Sequence, residues 1–184
     1  MKARPVQARF DRNSFNICKV LLALAPIMFM SEPAKAQHNH ASGSLNISIV
    51  DSDFAVDVVL PAEAVLGFER EPKTTREHKK LRDVKQSLLD SSAWLMPSQA
   101  AQCSQTSQGA NLFVKDGHAE IIVNVYVHCD QISELQGVEV KLLQMGFSLE
   151  TLNVLVLIET GSAAMSTLVE GETTVDLMAL GQLR

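Results

Sequence analysis

Over residues 44–50 apolar and polar positions take turns: Leu45, Ile47 and Ile49 fall on one side, Asn46 and Ser48 on the other. A period of two predicts a strand with one buried face. The pattern returns over residues 54–60, where Phe54, Val56 and Val58 oppose Asp57, and Pro61 closes the run. Asp51-Ser52-Asp53 between them is turn chemistry, so the two runs predict a hairpin. The longest alternation covers residues 118–129. Ala119, Ile121, Val123, Val125, Val127 and Cys129 form its apolar face, and His118, Glu120, Ile122, Asn124, Tyr126 and His128 form the other. Residues 138–143 and 152–159 read as further strands, and 165–169 with 173–177 as a last pair.

One segment has the helical period. Leu81, Val84 and Leu88 share a face, and Thr74-Thr75-Arg76-Glu77 has capping-box spacing, a hydroxyl with a carboxylate three residues on. The prediction is a helix to about Leu89, with Arg76, Lys79, Lys80, Arg82 and Lys85 on its other faces. Residues 62–68 form a short connecting segment, 98–111 read as a polar loop around Cys103, and 131–136 as a short helix. Together these predict one α+β domain, mostly antiparallel sheet with one main helix.

The first 36 residues follow a different pattern. Lys2, Arg4, Arg9, Arg12 and Lys19 precede an apolar run over residues 20–30, and Ala34 and Ala36 end the segment. A basic start, a short apolar stretch and a small-residue site predict a secretion signal cut after Ala36. The apolar run is too short for a helix spanning a bilayer core of about 30 Å, and no later run is apolar enough, so no stable membrane insertion is expected after cleavage. The expected organisation is a signal at 1–36 and a domain at 37–184 whose first residues, 37–44, form a flexible His-bearing end. The expected location is the periplasm.

Cleavage changes the charge. The whole chain has 16 Lys/Arg and 21 Asp/Glu; losing six and two of them leaves ten and 19, a net charge of −9. Such a chain repels nucleic acid and tolerates cations. Cys103 and Cys129 survive cleavage, and an oxidising compartment makes a disulfide between them the expectation. A thiolate metal or catalytic site is the alternative, although there is no Cys-x-x-Cys.

Enzymatic chemistry finds no motif: there is no Gly-x-Ser-x-Gly, no phosphate-cradling glycine loop and no His-Glu-x-x-His. The expectation is a protein that is not an enzyme. Metal binding has candidates. His38 and His40 are two residues apart near the new amino terminus, and neutral imidazole suits zinc and copper. Cleavage also makes His38 the second residue, where a free amine, an amide and the imidazole can chelate copper(II). On the long strand, His118 and Glu120 are neighbours about 7 Å apart on one face. His128 shares that face, with Tyr126 as a weaker companion. It lies about 33 Å from His118, too far to share an ion.

The order of these features resembles the ZrgA family, periplasmic proteins linked to zinc uptake. The matching pieces are residues 38–47, from His38-Asn39-His40 into the first strand; Val65-Leu66-Gly67-Phe68-Glu69-Arg70-Glu71-Pro72-Lys73-Thr74; Cys103; the strand ending Cys129-Asp130; and the apolar region 138–158. The resemblance implies a zinc-binding accessory protein working beside a zinc import transporter. It also implies a His- and acid-rich insertion between the cysteines and a His where Arg70 stands. Here residues 104–117 contain no histidine and the insertion is missing. The ligands carried over are His38, His40, His118, Glu120 and His128, with zinc as the metal. The alternative is a metal-free interaction domain that keeps the scaffold and docks a partner through Lys79, Lys80 and Arg82.

Overall fold

A computed structural model describes residues 41–178. The signal and the His38/His40 pair lie outside the described residues. The described residues form nine strands and two α-helices, in the order β1 (Ser42–Val50), β2 (Asp53–Pro61), α1 (Ala62–Leu66), α2 (Thr75–Leu89), β3 (Leu95–Pro97), β4 (Cys103–Lys115), β5 (His118–Cys129), β6 (Gly137–Val140), β7 (Thr151–Ile158), β8 (Ala163–Val169) and β9 (Thr174–Asp176). The fold is α+β, mostly antiparallel sheet with one main helix and one disulfide, Cys103–Cys129.

Six strands form the main sheet in the order β4-β5-β2-β1-β7-β8. All its pairings are antiparallel except β1 with β7, which run parallel. A second sheet, β3-β6-β9, is fully antiparallel. Register carries the alternation across the main sheet: Ile47 stands beside Val56 and Val156, and Val56 beside Val125. These residues are buried, and Leu95, Val138, Val140 and Val175 of the second sheet join the same core. The other face of the main sheet is open. It carries Val50, Phe113, Tyr126, Leu157, Met165 and Val169, all large apolar side chains that remain exposed.

The hairpin, the helix and β5 follow their periodicity closely. The helix starts where the capping box requires: Thr74 accepts from the Glu77 N–H while the Glu77 carboxylate accepts from Thr74. Val84 and Leu88 are buried, and Leu81 packs beside them.

Three segments differ from the sequence reading. Residues 103–111 are not loop: they begin β4, a 13-residue edge strand. Most of its side chains face solvent, so it lacks the apolar alternation that would mark it. Residues 165–169 and 173–177 do not pair with each other: β8 pairs with β7, and β9 with β6. At the amino end, β1 begins at Ser42, so three residues of the polar 37–44 end belong to the sheet. Gly43 is inside it, where an added Cβ would stand 3.0 Å from Leu60 and 3.1 Å from Leu152.

Candidate functional site

The two histidines of β5 stand at its two ends. At the first end, His118 Nδ1 stands 3.8 Å from Glu69 Oε2. Glu120 lies two residues on, exposed on the same face. The ladder continues sideways: Glu120 opposes Pro61, and Val59 opposes Ser44. The start of β1 therefore lies at the same end of the sheet as His118, two strands away, or about 10 Å.

The connector that presents Glu69 is built by the Phe68-to-Thr74 stretch. Gly67, with φ of 78°, ends α1 in the left-handed region, and its N–H donates to the Glu63 carbonyl. The Arg70 guanidinium lies 5.4 Å from the centre of the Phe68 ring and donates through both terminal nitrogens to Glu77, at 2.7 and 3.2 Å. Arg70 thereby fastens the connector to the first turn of α2. Its charge is held by a carboxylate, and its own pKa is raised, first by the hydrogen bond to Glu77.

At the other end, Asp53 opens β2 directly opposite His128. Its Oδ1 lies 2.7 Å from His128 Nδ1, and Asp130 Oδ1 lies 3.7 Å from Nε2. Here the polar partners of His128 are the two aspartates, not Tyr126. The disulfide sits between His128 and Asp130, with Cys103 directly opposite Cys129 across the ladder. The Cys129 N–H donates to the Ser52 carbonyl at 2.8 Å, and that of Asp130 to Gln102 at 3.3 Å. The backbone around this end is held from two sides, by Ser52 and by the 101–103 segment.

His118 and His128 thus stand at opposite ends of one strand, about 33 Å apart, and the structure does not bring them together. Glu69, Asp53 and Asp130 escaped the sequence reading. Asp130 left a signal, because it follows the buried Cys129 and continues the outward face of His128. Asp53 and Glu69 left none, since each needs a neighbour that register or a loop supplies.

Among the described residues, no group of three or more His, Cys, Asp or Glu is arranged to hold a metal ion. Nor is any helix there long and apolar enough to cross a membrane. A cavity of about 670 Å³ adjoins Cys103, lined by Leu95, Met96, Pro97, Val127, Val138 and Glu139 among others. No histidine lines it, and Glu139 lies 3.2 Å from the Lys141 ammonium.

One comparison places the chain. A family model described as "ZrgA family zinc uptake protein" matches residues 37–177, most of the chain and every strand. No curated protein matches the sequence.

Proposed function

The chain belongs to the ZrgA family of zinc uptake proteins, and from that premise we propose that it is a periplasmic accessory protein that binds zinc weakly and at low stoichiometry beside a zinc import transporter. The observation that carries this is the pairing of His118 with Glu69 at the first end of β5. His118 has Glu69 at 3.8 Å and Glu120 on the same face. His40 and His38 precede Ser42 by two and four residues, and Ser42 begins β1 at that end. Four residues reach at most about 14 Å, enough to span two strands. Imidazole and carboxylate are a ligand set that zinc accepts, and a set drawn from separate segments suits a protein that takes up and gives away its ion. The role is binding, with no catalytic step.

The test is calorimetric titration of the untagged protein with zinc at neutral pH. The wild type should release binding heat well above that of the His38→Ala, His40→Ala, His118→Ala variant, with affinity at least tenfold stronger. Equal heats would end the reading.

A second reading, a docking domain that needs no metal, is favoured by one feature. Arg76, Lys79, Lys80 and Arg82 are all exposed on α2, whereas the exported domain would be acidic overall. Reversing the charge at Lys79, Lys80 and Arg82 should abolish capture of the transporter's periplasmic components. Undiminished capture would discard this surface.

A further inference from the structure

The geometry points to a second, open zinc site at the far end of β5, in which His128 Nε2 and Asp130 are the ligands and Asp53 orients the imidazole. It rests on the zinc-handling reading but uses none of the residues at the His118 end. The Asp53 carboxylate can only accept, so at 2.7 Å it holds the proton on His128 Nδ1. That leaves the Nε2 lone pair as the metal-binding one. A carboxylate behind a histidine, fixing its tautomer and ring plane, is the arrangement that metal-ligating histidines use. On the other side of the ring, Asp130 Oδ1 stands 3.7 Å from Nε2. That gap is too long for a hydrogen bond. It is close to the separation of about 3.4 Å that two donors take when each lies about 2.1 Å from one tetrahedral zinc.

The surroundings fix the pair and leave the ion accessible. Asp53 and His128 are held in register by the β2–β5 ladder. Asp130 follows the disulfide-bonded Cys129 and is anchored through its own N–H to Gln102. The side chains of Asp53, His128 and Asp130 are 69, 44 and 70 % exposed. Two protein ligands leave two positions of a tetrahedral ion for water or for a donor from another protein. Such a site releases its ion readily to an acceptor that brings more ligands.

The test uses the His38→Ala, His40→Ala, His118→Ala background, in which the other end is silenced, titrated with zinc and separately with cobalt(II). One equivalent of zinc should remain. His128→Ala and Asp130→Ala should each abolish it, and Asp53→Asn should weaken it about tenfold. The cobalt(II) form should show visible absorption bands of a four-coordinate ion that vanish with His128→Ala, while circular dichroism of that variant stays unchanged. Zinc binding by the wild type but none by the triple variant overturns this site and leaves the zinc-handling reading standing. Retention of the equivalent after His128→Ala, or after Asp130→Ala, also overturns it, because the His128–Asp53 contact is then a surface ion pair only.

Discussion

The Glu77 carboxylate accepts four hydrogen bonds. Its Oε2 accepts from the backbone N–H of Lys73 at 2.6 Å and of Thr74 at 3.0 Å, and both oxygens accept from Arg70. All of these favour the charged form, the Arg70 hydrogen bond most, and the pKa falls from 4.5 to about 2. A carboxyl whose folded pKa is depressed binds fewer protons folded than unfolded. Its stabilising effect is complete above about pH 4.5 and is lost as pH falls through about 2. Glu77→Gln should lower the melting temperature at neutral pH and flatten its dependence between those limits. Thermal melts at stepped pH, followed by fluorescence of the single tryptophan, check both; an unchanged slope would remove Glu77 from the acid response.

At the scale of elements, the readable segments were those whose side chains experience two different environments. In β1, β2 and β5 one face is core and the other is open, so Leu45-Asn46-Ile47 and Ile121 to Val127 show the period directly. The α2 boundaries were readable because capping is local, decided by Thr74 and Glu77 three residues apart. β4 was not, because Ser104, Gln105, Thr106, Ser107 and Gln108 are all exposed at a sheet edge with a register shift after Gln105. Polar edge residues discourage pairing with other chains and erase the strand signal at the same time. β3, three residues long, falls below any period. The pairing of β6 with β9 was hidden for another reason: alternation names a buried face and says nothing of the partner. A glycine marks that contact. A Cβ on Gly137 would stand 2.9 Å from the Val175 carbonyl oxygen, a backbone atom. Gly137→Ala should therefore part β6 from β9 and destabilise the fold by about 1–3 kcal/mol, measured by urea unfolding. A stability equal to wild type would show that the second sheet shifts freely.

For the whole molecule, the covalent constraint is Cys103–Cys129, separated by 26 residues and tying β4 to β5. The loop-entropy model assigns such a closure about 3.5 kcal/mol. Replacing both cysteines by serine should lower the unfolding free energy by about that amount, read as an earlier urea midpoint; no loss would mean that the two strands hold each other without it. Both cysteines were visible in the sequence, and the inward face of β5 already aimed Cys129 at the core. The candidate site was less legible for the same reason as the sheet order. His118 and His128 could be placed on one face, but Glu69 and Asp53 reach them only through a loop and a register that depend on the whole fold.

The parallel pairing of β1 with β7 has a consequence for the newly made chain. Residues 42–49 pair with residues 151–158, more than a hundred positions later. Synthesis runs from the amino terminus, so the β1–β2 hairpin emerges before the strand that pairs with the outer N–H and C=O groups of β1. A polypeptide interrupted anywhere before Thr151 lacks that strand, and the edge of β1, with Leu45, Ile47 and Ile49 beside it, is then a template for aggregation. The last third of the chain acts as a seal on the first, and truncated products should be the species that quality-control proteases remove soonest.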